Sequence, residues 1–133
     1  MTRTIIRNVF ATIGTAAALT GAVVAGTGVA AAVDVPSRAN VRYVFCSDEK
    51  VGNEIIYYDE LGKRDEVVTL AEHTDGGLWC RNVDVQFKSR SFTWSAIANE
   101  DAHYAYTAIY VNGKMAAREE DRSDFGHASA QAM

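Results

Sequence analysis

The sequence YAYTAIYVNGKMAARE, residues 104–119, decides the fold class, because β-favouring side chains flank an Asn-Gly pair on both sides. Asn112 and Gly113 tolerate the positive φ angles that a two-residue type I′ turn requires. The stretch therefore predicts a β-hairpin. The predicted cross-strand pairs are Val111 with Lys114, Tyr110 with Met115, Ile109 with Ala116 and Thr107 with Arg118.

The first strand of this hairpin has two chemically different faces, because successive side chains of a strand point in opposite directions. We expect the face with Thr107, Ile109 and Val111 to point inward, which leaves Tyr104, Tyr106, Ala108 and Tyr110 on the outer side. Tyrosines suit contact surfaces because a rigid ring offers area and a hydroxyl group. Tyr104, Tyr106 and Tyr110, together with Trp79, are therefore our candidates for partner binding. The alternative is that these tyrosines simply cover a half-exposed sheet face.

From residue 41 onward, the rest of the chain shows the same pattern of short β-favouring runs separated by turn residues. This pattern is typical of a sandwich or barrel. The predicted strands cover residues 41–46, 54–58, 66–70, 78–80, 83–87 and 92–97, with a last short strand around Phe125 within 123–131. Gly62 occupies a predicted turn that needs positive φ. The sequence thus predicts a small all-β, antiparallel sandwich of about seven strands over residues 41–133. Residues 33–40, which contain Pro36, are predicted to form an extended linker.

The N-terminal residues 1–32 have the parts of a helical secretory signal. Arg3 and Arg7 precede an uncharged run over residues 9–29, and Ala30 and Ala32 supply the small side chains that signal peptidase requires. The alternative is an uncleaved membrane anchor, since the run is long enough to span a bilayer. In either case we expect the remainder to be extracytoplasmic, either secreted or held at the cell envelope. The membrane would then be contacted only through an uncleaved N-terminal segment.

Charge and cysteine content agree with this location. The chain carries 13 Lys and Arg against 17 Asp and Glu, and loss of Arg3 and Arg7 would bring the net charge to about −6, which disfavours nucleic acid as a partner. Cys46 and Cys80 are the only cysteines, and an even count in an oxidising compartment predicts one disulfide. The competing interpretation is that Cys80 is a reactive thiol activated by His73.

Searches for catalytic motifs find no nucleophile elbow, phosphate loop, paired metal-binding histidines or Cys-x-x-Cys motif. His73, His103 and His127 are far apart in the sequence, and their spacing does not indicate a metal site. The sequence therefore predicts no catalytic residue, no metal, no cofactor and no enzymatic activity.

The order of several features resembles the MmpS-like family of small mycobacterial membrane proteins, which are transport accessory proteins. The features are Tyr43 in the first strand, the strand Ile55-Ile56-Tyr57-Tyr58-Asp59, the turn Glu60-Leu61-Gly62-Lys63, Gly77-Leu78-Trp79, and the hairpin at residues 108–114. The resemblance implies an immunoglobulin-like β-sandwich and an actinobacterial origin. It also implies an accessory role beside an envelope transporter that exports lipids or siderophores.

Our first hypothesis is accordingly an exported, non-enzymatic β-sandwich that binds an extracytoplasmic protein or an apolar small molecule. Two alternatives belong to other classes. One is a small secreted hydrolase whose acidic or histidine side chains meet across loops, and the other is a secreted structural or inhibitory protein.

Overall fold

The computed structural model describes residues 32–133, and its regular elements are all β-strands. The strands, in chain order, are β1 (Val33–Val35), β2 (Asn40–Ser47), β3 (Asn53–Asp59), β4 (Gly62–Val68), β5 (Glu72–His73), β6 (Trp79–Gln86), β7 (Ser91–Thr93), β8 (Ser95–Asn99), β9 (Tyr104–Val111), β10 (Lys114–Arg122) and β11 (Ala128–Ala132).

The strands form antiparallel sheets that pack as a sandwich. The five-stranded sheet has the order β10-β9-β2-β6-β5, the four-stranded sheet has the order β11-β8-β3-β4, and β1 pairs with β7. The prediction of an all-β antiparallel sandwich is therefore confirmed. The described residues contain eleven strand segments instead of about seven. The predicted run at 92–97 divides in two, and β1 and β5 are short strands outside the predicted runs, whereas the runs at 78–80 and 83–87 join in β6.

The core lies between the two larger sheets, and aromatic rings join them. Tyr43 and Phe45 of β2 are fully buried, and their ring centroids lie 5.4 and 6.2 Å from that of Tyr57 in β3. Ile55 and Ile97 of the four-stranded sheet and Ile109 of β9 are also fully buried in this core. From Asn40 to Phe45, buried side chains of β2 alternate with exposed or half-buried ones, and this alternation shows which face of its sheet points outward.

The hairpin of β9 and β10 forms at the predicted turn but with a different register beyond it. Asn112 and Gly113 have φ angles of 50° and 82°, and Val111 pairs with Lys114 and Tyr110 with Met115, as predicted. A bulge between Met115 and Ala117 then shifts the pairing by one residue. Ile109 therefore faces Ala117 and not Ala116, and Thr107 faces Glu119 and not Arg118. The sequence of two consecutive alanines gave no signal for the extra residue.

Residues 33–40 do not form the predicted linker. Val33–Val35 is a strand that pairs with β7, and Val33, Val35 and Ala39 are buried in the core. The prediction is wrong because Pro36 follows the strand and does not interrupt it, so the residues before it remain free to pair.

Other predicted strands also have different bounds. The run at 66–70 lies partly in β4, which begins at Gly62 and ends at Val68. The run at 92–97 divides at Trp94, because residues 91–93 pair with β1 whereas residues 95–99 pair with β3 and β11. Phe125 is not in a strand. It is 98% exposed, in a turn where Gly126 and His127 have positive φ angles. The last strand begins at Ala128 and is built mainly of buried alanines, which have little β propensity of their own.

The predicted signal segment, including Ala30, lies outside the described residues except for Ala32, the first of them.

Candidate functional site

The candidate site is the outward-pointing surface of the five-stranded sheet, which we call the outer face. On β9 it carries Tyr104, Tyr106, Ala108 and Tyr110, as predicted, because Thr107 and Ile109 are buried on the other side. The three tyrosines are half-buried, so part of each ring is open to solvent. The bulge places Arg118, Glu120 and Arg122 of β10 opposite Ala108, Tyr106 and Tyr104 on this same face.

Tyr104 is held in place by its neighbours on β10. Its hydroxyl donates a hydrogen bond to Oε1 of Glu120 at 3.0 Å, and the guanidinium carbon of Arg122 lies 4.7 Å from its ring centroid. Burial and the Glu120 carboxylate raise the pKa of the Tyr104 hydroxyl. The hydroxyls of Tyr106 and Tyr110, in contrast, make no hydrogen bond within residues 32–133. They are therefore available to a ligand.

A groove of about 990 Å³ runs across the outer face beside Tyr110. This volume is within the range of ligand sites in proteins. Half of its lining residues have polar or charged side chains. These six are Asn40, Arg42, Glu72, Asn82, Asp84 and Gln86. The less polar part of the lining consists of Val41, Val44, Cys80, Val85, Tyr110 and Gly113.

The middle of the groove contains a bidentate ion pair between neighbouring strands. Arg42 of β2 lies directly opposite Asp84 of β6, and its Nε and Nη2 donate to the two carboxylate oxygens at 2.7 and 3.0 Å. The hydrogen bond and charge of Arg42 lower the pKa of the Asp84 carboxyl, while Asp84 raises the pKa of Arg42. Both groups therefore stay charged near neutral pH, and their charges cancel.

A disulfide between Cys46 and Cys80 lies on the same face. The two residues are directly opposite each other on β2 and β6, with Cα atoms 4.1 Å apart. The other neighbour of Cys46 across the sheet is Tyr106. The predicted pairing is thus present in the structure, and the reactive-thiol interpretation of Cys80 is wrong for this oxidised form.

Trp79 is the one predicted contact residue that the structure separates from the others. It precedes Cys80 on β6 and so points to the opposite face, where it packs against the core. The His73 ring centroid lies 4.4 Å from its ring, and Nζ of Lys50 lies 4.7 Å from its centroid. Trp79 and the tyrosines therefore do not form one contact surface.

The three histidines lie in separate places. His73 packs on Trp79, His127 is in the exposed turn before β11, and Nδ1 of His103 is 3.9 Å from Oδ2 of Asp48. Asp48 also accepts hydrogen bonds from the backbone N–H groups of His103 and Tyr104, which fixes the start of β9. Within residues 32–133, no three His, Cys, Asp or Glu side chains lie close enough together to hold a metal ion.

Sequence reasoning missed the groove, including Arg42, Asn82 and Asp84. The alternation of residues 83–87 does place Asp84 and Gln86 on one polar face, but their neighbours depend on which strand pairs with β6 and in what register.

Comparisons of the chain with protein-family models, with curated proteins and with solved structures find no match. Among the described residues there is no helix long and apolar enough to cross a membrane.

Proposed function

We propose that the protein is a non-enzymatic binding module of the extracytoplasmic space and that it contacts its ligand with the outer face of the five-stranded sheet. The observation that carries this proposal is the row of half-exposed tyrosines next to a groove of about 990 Å³. Tyr104 is held by Glu120 and Arg122, and a preordered ring loses little conformational entropy on binding.

The chemistry of the groove supports binding more than catalysis. General acid–base catalysis requires a group whose pKa is near the working pH. The groove's central ionisable groups, Arg42 and Asp84, move each other's pKa away from neutrality. They are suited to hold a fixed pattern of charges and hydrogen-bonding groups.

The location outside the cytoplasm rests on two features. The Cys46–Cys80 disulfide is compatible with an oxidising compartment, and the N-terminal sequence has the composition of an export signal. An envelope transporter, which the MmpS-like resemblance implies, stays a prediction for the partner.

The proposal is tested by co-sedimentation of the oxidised, exported protein with cell-envelope fragments. We expect the wild type to sediment with the envelope. The double variant Tyr106→Thr, Tyr110→Thr should lose most of this binding, because threonine keeps β propensity but removes both rings. Val67→Thr is the matched control, since Val67 is exposed on β4 of the other sheet.

Equal sedimentation of the tyrosine variant and the wild type would show that the outer face is only sheet surface. If the wild type does not sediment with the envelope, the proposed binding function itself is contradicted.

A further inference from the structure

The composition of the groove indicates a class of ligand, and this step rests on the binding role proposed above. We propose that the groove binds an uncharged, polyhydroxylated ligand, namely a short stretch of oligosaccharide that runs along β6.

The first argument is the hydrogen-bonding character of the lining. The side-chain amides of Asn40, Asn82 and Gln86 each offer both donors and an acceptor, and Asn82 and Gln86 are exposed and make no side-chain hydrogen bond within residues 32–133. A sugar hydroxyl also donates and accepts, so amides are its natural counterparts. A fatty chain in the same place would strip water from these amides without replacing their hydrogen bonds, at a cost of roughly 1–3 kcal/mol for each group.

The second argument is charge. Arg42 and Asp84 neutralise each other through two hydrogen bonds, which leaves Glu72 as the remaining charged residue of the lining. A phosphate or an anionic headgroup would meet two carboxylates and only one guanidinium, already engaged by Asp84. An uncharged ligand avoids this repulsion, and it can still accept a hydrogen bond from the remaining guanidinium N–H groups of Arg42.

The third argument is shape. From Cys80 to Gln86 the lining follows β6 for six residue steps, a length of about 20 Å at the usual rise of a strand. Val44 of β2, which is half-buried and directly opposite Asn82, adds an apolar contact to the lining. The ring of Tyr110 borders the groove and offers a flat apolar surface to the C–H face of a sugar.

The test is affinity gel electrophoresis of the oxidised protein in gels that contain one soluble neutral polysaccharide each, chosen from glucans, mannans, galactans and oligomers of N-acetylglucosamine. We expect retardation by at least one of them. Asn82→Ala and Tyr110→Ala should each weaken the apparent affinity at least tenfold. Arg81→Ala should leave it unchanged, because Arg81 is exposed on the same strand but points to the other face.

A second arm repeats the envelope co-sedimentation after the fragments have been digested with protease. Retained sedimentation supports the saccharide ligand. Loss of sedimentation on digestion, with no retardation by any polysaccharide, would overturn the saccharide inference while the binding role of the outer face stands. Equal retardation of Asn82→Ala, Tyr110→Ala and the wild type would also overturn it, because the sugar would then bind elsewhere.

Discussion

Cys46 and Cys80 are direct cross-strand neighbours on β2 and β6, and their disulfide lies on the same face of the sheet as Tyr106. The bond therefore ties two strands of one sheet and does not join the two layers of the sandwich. It also fixes the register that brings Arg42 opposite Asp84, since these residues lie four positions before Cys46 and four after Cys80.

Reduction of this disulfide should lower the free energy of unfolding. The cysteines are 34 residues apart in the sequence, and release of a loop of this size costs roughly 3–4 kcal/mol in the chain-entropy description. Urea unfolding with and without reductant measures the difference. The variant Cys46→Ser, Cys80→Ser should match the reduced wild type and should not respond to reductant. An unchanged midpoint on reduction, or two free thiols in the exported protein by mass spectrometry, would contradict the prediction.

The bulge at Ala116 determines which side chains of β10 reach the outer face. Insertion of one alanine between Ala116 and Ala117 would shift the pairing beyond the bulge by one residue, and Arg118 would then face Thr107 on the core side. We expect the insertion to lower the free energy of unfolding by at least about 2 kcal/mol, because a charged side chain would turn toward the core.

Ala116→Gly keeps the wild-type number of residues and register and serves as the control, with an expected change of less than about 1 kcal/mol. Chemical denaturation of both variants measures the contrast. Equal stability of the insertion variant and the wild type would show that the register beyond the bulge does not determine the placement of Arg118, Glu120 and Arg122.

The sequence predicted local features of the fold better than the pairing of distant strands. The Asn112-Gly113 turn, the positive φ of Gly62 and the outward tyrosines follow from rules that act over a few residues. The partner of a strand depends on contacts between residues far apart in the chain. For this reason the division of residues 92–97 at Trp94 and the short strand β1 were not foreseen.

The groove illustrates the same limit at the candidate site. Its residues come from β2, β5, β6, β9 and the turn after β9, so no single stretch of sequence contains it. One long-range signal was nevertheless present. If the predicted disulfide is assumed to join directly opposed residues of antiparallel strands, the pairing of Arg42 with Asp84 follows by counting. The position of Trp79 on the opposite face from Cys80 follows from strand alternation in the same way.

Tyr43 should make the protein less stable in alkaline solution. Its hydroxyl is buried, donates to the carbonyl oxygen of Tyr58 and is hydrogen-bonded to Thr93, and burial raises its pKa to about 12. The unfolded chain releases this proton near pH 10. Below that pH the contribution of Tyr43 is fully present. As the pH rises from about 10 to about 12 the unfolded state deprotonates first, so stability falls by on the order of 2 kcal/mol in total.

The free energy of unfolding, measured by urea titration at a series of pH values from about 8 to 12, tests this prediction. Tyr43→Phe should show a shallower decline above pH 10, although it loses about 1 kcal/mol at neutral pH with its hydrogen bonds. Tyr57 and Tyr104, whose pKa values burial also raises, account for the remaining slope. Equal slopes for Tyr43→Phe and the wild type would exclude Tyr43 as the cause.

Arg42 should control the titration of Asp84 in the groove. The pKa of Asp84 is lowered first by its side-chain hydrogen bond from Arg42 and further by the charge of Arg42. The stabilisation that this pair contributes is therefore present above the ordinary aspartate pKa of about 4 and is lost as the pH falls through the lower value of the folded state. Both side chains are more than half exposed, so the change in stability should be small, and the pKa itself is the better measurement.

Carboxyl titration by carbon-detected NMR should find that Arg42→Ala raises the pKa of Asp84 to its ordinary range and leaves Asp59 unchanged. Arg64→Ala is the matched control, because Arg64 forms an ion pair with Asp59 through one hydrogen bond of 2.6 Å and lowers the pKa of that carboxyl instead. The two variants should thus have reciprocal effects. An Asp84 pKa that is the same in Arg42→Ala and the wild type would mean that the ion pair is absent in solution. The argument that the charges at the centre of the groove cancel would then be contradicted.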